Sequence, residues 1–218
     1  MRRFCFLISV IFSLTLGFFQ GPVTTVAAEP ECRHKVYLPL VAQGPVAAPP
    51  DTQSPLEQLT NQVADGQADV VRGVYVAGIL ALPVIQQPAN SPYYVESRPG
   101  VATQFEMASS FQVIGLLAHN DLAGSEFFQL QAGEEVDIVY GDGQIARFHV
   151  SRIDQYQALD PTSTSSRFVD LATDENVSAA DVFVREYTTA GQVTFQTCIT
   201  RDGIPSWGRL FVIAEPAS

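Results

Sequence analysis

The sequence predicts a single, mainly β domain, a barrel or a sandwich, with one or two short helices. Three observations predict it. After residue 70, short stretches rich in β-branched and aromatic residues follow one another, separated by turn residues. Helical periodicity is confined to two short segments, 55–68 and 123–130. The remaining length, about 150 residues once the N-terminal segments are set aside, suits one hydrophobic core.

Residues 1–28 have the layout of a secretory signal. A positive start, Met1-Arg2-Arg3, precedes an uncharged apolar run at 4–19, and Val26-Ala27-Ala28 offers the small residues of a cleavage site. The run is shorter than the roughly 20 residues that span a bilayer. Cleavage of a signal peptide and retention of a signal-anchor both stay open. Either outcome places the body of the protein outside the cytoplasm, secreted or anchored at the cell surface.

The charge balance argues against polyanionic partners. The net charge is −11 at pH 7. Removal of 1–28, which holds two arginines and no acids, brings it to about −13. Such an acidic surface argues against binding to nucleic acid or electrostatic docking on anionic lipid. Membrane association would have to go through the N-terminal segment.

A linker and one domain follow the signal. Residues 29–55 are rich in Pro and Ala, which favours an extended linker over a core, and 56–218 is the predicted domain. At its start, Ser54 is a suitable N-cap, Pro55 a suitable first helical residue and Gly66 a suitable end. We expect a short amphipathic helix there.

The strands are predicted in order along the domain. The clearest hairpin has Gly141-Asp142-Gly143 between two β-branched runs. Residues 156–178 are polar and rich in Ser, Thr and Asp, and we expect a long loop there. Residues 123–130 suit a helical turn. The strand candidates are 70–85, 93–95, 103–107, 112–118, 136–140, 145–153, 193–199 and 209–214.

Two of the three cysteines remain if the signal is cleaved. Cys5 leaves with it, whereas Cys32 and Cys198 stay. In an oxidising compartment two cysteines can form a structural disulfide. The competing interpretation is that Cys198 is a reactive thiol at the end of a strand.

A thiol nucleophile needs a histidine to exchange protons with it and a positive group for the oxyanion. Among three histidines, His119 ends the apolar strand 113–118, at the kind of position where loops build sites. His149 alternates with apolar neighbours and should point to the polar face of its strand. Arg209 opens the last strand, where a hairpin returning from Cys198 would bring it alongside.

The segment Thr194-Phe195-Gln196-Thr197-Cys198 resembles the Thr-Leu-x-Thr-Cys strand of the sortases. Ala118-His119 is similar to the Gly-His with which sortases follow an apolar strand. Gly208-Arg209 and the apolar residues after it match the start of their final strand. The resemblance spans about residues 70–216.

The resemblance implies a sortase-type eight-stranded β-barrel and a Cys-His-Arg site. The acids that bind calcium in some sortases have no assigned counterparts in this sequence, so we expect no metal and no cofactor. Cys198 would attack the Thr carbonyl of a Leu-Pro-x-Thr-like sorting peptide, His119 would exchange protons, and Arg209 would hold the carbonyl oxygen. Thr197 and Ala118 would line the substrate groove. The strand before Cys198 and the loop 156–190 would form its floor and wall. The implied partners are surface-protein sorting peptides and an amine acceptor.

Two alternatives stay open. In the first, water instead of an amine resolves the thioester, and the protein is a sortase-fold peptidase. In the second, a Cys32–Cys198 disulfide is structural and the protein is a secreted β-domain that binds a partner.

Overall fold

The computed structural model describes residues 53–217. The elements of this range are three α-helices, one 3-10 helix and ten strands. In chain order they are α1 (Pro55–Val63), β1 (Val71–Val76), β2 (Leu80–Gln86), β3 (Ala102–Gln104), α2 (Glu106–Ser109), β4 (Ile114–Leu117), the 3-10 helix (Ala123–Gln129), β5 (Glu135–Tyr140), β6 (Ile145–Ala158), β7 (Phe168–Asp170), β8 (Asn176–Val177), α3 (Ala179–Tyr187), β9 (Val193–Arg201) and β10 (Ile204–Pro216).

Eight of the strands close into a barrel. Their order is β10-β9-β4-β3-β2-β1-β5-β6, and pairing of β6 with β10 completes the ring. β2 pairs with β3, and β4 with β9, in parallel, whereas the other neighbours are antiparallel. Short strands β7 and β8 extend the sheet from β6. The prediction of a mainly β, eight-stranded barrel is confirmed, and the helices of 53–217 are few and short, although there are four where one or two were predicted.

The hydrophobic core has two parts because β10 is buried on both faces. Residues Leu210 and Val212 point into the barrel, whereas Phe211 and Ile213 point outward beneath α3. This alternation follows from the two-residue period of a strand. The outer part is completed by aromatic side chains that meet edge to face, among them Tyr156 and Tyr187.

Local sequence chemistry accounts for the start of α1 and for the hairpins. Ser54 accepts a hydrogen bond from the backbone N–H of Glu57, whose carboxylate accepts one from Ser54, as in a capping box. The helix ends at Val63, before the predicted end at Gly66. The predicted turn at 141–143 joins β5 to β6, with Gly143 at φ 85°. The predicted single stretch 70–85 is itself a hairpin, β1–β2, which turns at Gly78 (φ 74°).

The strand predicted at 93–95 is absent from the structure. Instead, residues 87–100 form a connection whose backbone is held by two buried side chains. Gln87 Nε2 donates to the carbonyl oxygens of Pro92 and Tyr94. The Glu96 carboxylate accepts from the backbone N–H groups of residues 97 and 98, and its own N–H donates to Thr103. Because side chains satisfy these backbone groups, no partner strand is needed.

The prediction of a long loop at 156–178 is also wrong in part. β6 continues to Ala158, and the chain then forms β7, β8 and α3. Phe168 and Val177 are buried in the outer part of the core, which holds these very short strands against the barrel. Ser178 and Asp181 form a second capping box that starts α3.

The predicted signal segment, the linker up to residue 52 and Cys32 lie outside the described residues. Within 53–217, no helix is long and apolar enough to cross a membrane.

Candidate active site

Cys198 lies in the wall of the barrel. It belongs to β9, is half-buried, and forms no disulfide with any residue of 53–217. β9 pairs with β10 on one side and with β4 on the other. Because ladder hydrogen bonds fix a strand that has neighbours on both sides, the barrel sets the position of the thiol.

Arg209 is directly opposite Cys198 in the β9–β10 pair. Side chains of directly opposed residues lie on the same face of a sheet, with Cβ atoms about 5 Å apart. Nη1 of Arg209 donates to the carbonyl oxygens of Ser206, at 3.1 Å, and Gly208, at 2.8 Å. Its Nε and Nη2 donate to no described residue, and no described carboxylate pairs with it. The guanidinium therefore keeps donors for a ligand.

His119 follows the last residues of β4, on the other side of β9. The N–H of Ala118 donates to the carbonyl of Gln196 at 3.2 Å and so extends the β4–β9 ladder to the residue before the histidine. The carbonyl of His119 accepts from the N–H groups of Leu122, at 3.0 Å, and Gly124, at 2.9 Å. Its side chain is exposed, and none of the described residues hydrogen-bonds its ring. The backbone is thus fixed while the imidazole can turn.

Thr197 and Ala118 connect the nucleophile strand to the histidine strand. The Thr197 side chain is buried and its hydroxyl donates to the carbonyl oxygen of Ala118 at 2.9 Å. The hydroxyl is therefore used to hold two strands together, a role that the sequence resemblance did not indicate.

All five predicted site residues line one open groove of about 450 Å³. Its other lining residues are mainly apolar and come from the stretch 92–107 and from β4. The loop 156–190 was expected to form the wall of the groove, but Thr164 is the one residue of that range that lines it. The wall is formed instead mainly by residues of the stretch 92–107. The additional lining residues are Pro92, Tyr93, Val95, Phe105, Met107, Leu117, Thr164 and Gln196.

The apolar wall presents side chains to solvent. Tyr93 is 80% exposed and Met107 is 48% exposed. Exposed apolar side chains grouped around a groove are more common at binding sites than on the rest of a protein surface. The contacts of Gln87 and Glu96 described above fix the backbone beneath Tyr93.

Gln196 is a groove residue that sequence reasoning missed. It lies two residues before Cys198 in β9, so both side chains share a face. The hydroxyl of Tyr187, at the end of α3, donates to its Oε1 at 2.6 Å. Burial raises the pKa of Tyr187 well above its usual value, so this hydroxyl stays protonated.

The Tyr187 contact leaves the amide nitrogen of Gln196 available. Nε2 donates to no described residue, and every buried polar side-chain atom within 53–217 has a partner. Nε2 is therefore exposed, and Gln196 lines the groove. It offers two N–H donors beside the thiol.

Asn120 is a second residue that the sequence did not single out. Its Nδ2 donates to the hydroxyl of Thr200 at 2.7 Å and to the carbonyl of Pro205 at 3.1 Å. The residue after the histidine is therefore attached to the β9–β10 hairpin, on the side of Cys198 away from the apolar wall. Because these partners are 80 or more residues away in sequence, no local pattern could have indicated them.

The chemistry available at this site is nucleophilic. A thiol on β9, a guanidinium on β10 and an imidazole just after β4 line one groove. They are the groups required to attack a carbonyl, exchange protons and stabilise an oxyanion. Within 53–217 no group of three or more His, Cys, Asp or Glu side chains is arranged to hold a metal ion.

No family model and no curated protein matches the sequence. Solved structures that it resembles include sortases of several classes. Sortase A of Listeria monocytogenes is 12% identical, with a TM-score of 0.43, over 69% of this chain and 89% of that chain. Sortase C of Clostridium perfringens SM101 is 16% identical, with a TM-score of 0.42, over 75% and 83%. Sortase A of Corynebacterium diphtheriae, as a lid mutant, is 16% identical, with a TM-score of 0.43, over 75% and 77%. The family that the Thr194–Cys198 segment resembles is also the family of these structures.

Proposed function

We propose that this chain is an exported cysteine transpeptidase. It cleaves a Leu-Pro-x-Thr-like sorting peptide through a thioester on Cys198 and transfers the acyl part to an amine. One observation carries the proposal: Cys198, His119 and Arg209 line the same groove from adjacent strands, with Cys198 and Arg209 directly paired.

In the acylation step, Cys198 passes its proton to His119 and, as a thiolate, attacks the Thr carbonyl carbon of the peptide. The carbon–sulfur bond forms, and the negative charge on the carbonyl oxygen faces the free N–H donors of Arg209. His119 gives a proton to the nitrogen of the departing amine as the peptide bond breaks. In the second step the same imidazole takes a proton from the entering amine.

The groove supports binding of an extended peptide. Its wall, with Tyr93 and Met107, can cover apolar side chains of the peptide and exclude water from them. The Nε2 group of Gln196 donates to a peptide carbonyl beside the reacting bond. Donors that are fixed before the ligand arrives lose little entropy on binding.

The test uses the mature protein and a labelled Leu-Pro-x-Thr-Gly peptide, with and without an added amine. Mass spectrometry should detect a thioester on Cys198, and Cys198→Ala should abolish it. Arg209→Ala should lower kcat by about 10²–10³, the usual effect of losing an oxyanion donor. His119→Ala should be similarly impaired. His149→Ala is the matched control, because His149 lies exposed on β6, as its alternation with buried Phe148 and Val150 predicts.

Three outcomes would contradict the proposal. They are a wild-type protein that forms no thioester, activity that survives Cys198→Ala, or activity that survives His119→Ala. Cleavage without transfer to any amine would favour a hydrolytic peptidase. A Cys198 that no reagent labels under non-reducing conditions would favour the structural disulfide with Cys32.

A further inference from the structure

A second cavity opens on the opposite side of the Cys198–His119 pair from the apolar wall. This polar cleft has a volume of about 470 Å³. It shares Cys198 and His119 with the groove, but neither Arg209 nor any residue of 92–107 lines it. Its lining residues are His119, Asn120, Asp121, Cys198, Thr200, Pro205 and Ser206.

We propose that the polar cleft is the binding site for the acceptor amine, which it takes up as a primary ammonium through Asp121. The inference rests on the proposed function, since it assigns the place where the second substrate, the amine, enters the site. Once the groove holds the acyl part of the peptide, the cleft is a second cavity from which a ligand can reach both the thioester and the imidazole.

Apart from the His119 ring and the thiol, the free polar atoms of the cleft include two acceptor groups, on Asp121 and Asn120. Asp121 is exposed, and within 53–217 its carboxylate forms neither a hydrogen bond nor an ion pair. Asn120 uses only its Nδ2 in the contacts with Thr200 and Pro205, which leaves Oδ1 free. The hydroxyl of Ser206 donates to the carbonyl of Pro161. An ammonium group carries three donors and one positive charge, which suits a carboxylate and an amide oxygen.

The cleft is also held open by its own contacts. Asn120 joins the segment after β4 to the β9–β10 hairpin, and Thr200 donates to Pro205 at 3.3 Å across that hairpin. These bonds fix the two sides of the cleft relative to the thiol before any amine arrives.

The transfer step converts the thioester and the bound amine into an amide and restores the Cys198 thiolate. The bound ammonium loses one proton to solvent, and the neutral nitrogen attacks the thioester carbonyl carbon. A carbon–nitrogen bond forms, the carbon–sulfur bond breaks, and the electron pair returns to Cys198 as thiolate. His119 accepts the second proton of the nitrogen, which leaves a secondary amide.

The experiment compares two amines on the full mature chain, with a labelled Leu-Pro-x-Thr-Gly peptide as acyl donor. Methylamine is a cation at neutral pH and hydroxylamine is neutral. Asp121→Asn should lower the ratio of methylamine transfer to hydrolysis about two- to fivefold at low salt, the range of an exposed charge pair. Transfer to hydroxylamine and the rate of thioester formation should stay unchanged.

Asp202→Asn is the matched control. Asp202 lies exposed in the turn of the same hairpin and does not line the cleft, yet its substitution removes the same charge. An equal loss in both variants, or an equal loss with both amines, would overturn the inference and leave the proposed function intact. A wild-type protein that forms no thioester would overturn the proposed function and the inference with it.

Discussion

Tyr187 connects a helix on the outside of the barrel to the candidate site. It is 2% exposed, ends α3, and donates its hydroxyl hydrogen to Gln196 in the groove. The contact fixes which end of the Gln196 amide is turned away from Tyr187 and left available in the groove. A buried residue that does not line the groove thereby positions a donor in it.

We expect Tyr187→Phe to weaken acylation by peptide without disturbing the ring packing of Tyr187. Loss of one hydrogen bond costs about 0.5–1.5 kcal/mol, which corresponds to at most about a tenfold fall in kcat/KM. Gln196→Leu removes the donors themselves and should cause at least as large a fall. Steady-state kinetics of peptide cleavage measure both.

The double variant decides whether Tyr187 acts through Gln196. If it does, Tyr187→Phe should add nothing to the effect of Gln196→Leu on kcat/KM. Additive effects would show instead that Tyr187 affects activity by general stability.

The sortase-like motif predicts some residues of the candidate site and not others. Strand ends and the resemblance indicate Cys198, His119 and Arg209, and these residues share one groove. Gln196 occupies the position that the sortase motif leaves unspecified. Asn120 acts through partners that the fold alone brings near it. Their contributions depend on contacts across the barrel, which no local pattern encodes.

Among the elements, the 3-10 helix is the support beneath His119. Its Gly124 lies against the Thr197 hydroxyl, and a Cβ at this position would be 2.7 Å from the carbonyl oxygens of both Ala118 and His119. Carbon atoms do not approach backbone oxygens so closely without displacement. Glycine is therefore needed for the helix to approach the end of β4.

Gly124→Ala should move the 3-10 helix away from β4 and displace His119 with it. We expect a loss of about 1–3 kcal/mol in the free energy of unfolding, as for other overpacked sites. We also expect a larger relative loss of thioester formation than stability explains. Denaturant melts and acylation rates of folded protein measure the two effects.

Gln129→Ala is the control for this helix, since Gln129 is its exposed last residue. It should leave both quantities near wild type. A Gly124→Ala protein with wild-type acylation would show that the helix does not position the histidine.

Elements with local signals were predicted well, and those defined by burial were not. Ser54, Pro55 and the glycines at 141 and 143 act on their immediate neighbours, so α1 and the β5–β6 hairpin could be predicted. β7 and β8 have two or three residues each and exist because Phe168 and Val177 are buried. The Ser178–Asp181 capping box was one available signal for α3.

At the scale of the molecule, a buried acid joins α3 to the outside of the barrel. Glu186 is 1% exposed and accepts from the Tyr156 hydroxyl at 2.6 Å and from Arg152 at 2.9 Å. Burial outweighs these favourable contacts and raises the pKa of Glu186 above its usual 4.5. The folded state therefore favours the protonated acid more than the unfolded chain does.

This shift makes the stability contribution of Glu186 depend on pH. The contribution is fully present below pH 4.5, where both states are protonated, and is lost as the pH rises through the raised pKa of the folded state. Glu186→Gln cannot ionise, so the melting temperature of the wild type relative to this variant should fall as the pH increases above 4.5. Thermal melts across pH 4–8 measure the difference.

Glu215→Gln, at an exposed carboxyl near the end of β10, should show no comparable trend. A wild type that gains stability relative to Glu186→Gln with rising pH would mean that the ion pair with Arg152 dominates over burial.

The parallel pairing of β4 with β9 has a consequence for the order of events during folding. The hydrogen bond from Thr197 to Ala118 joins positions that are 79 residues apart in the chain. Contacts of such long range form late, because a large loop must first be closed. Until then the cysteine has no histidine beside it, although Arg209 can already be placed by the local β9–β10 hairpin. A chain that has not finished folding therefore carries its thiol without the imidazole, and the complete site exists only in molecules whose β4–β9 pairing has formed.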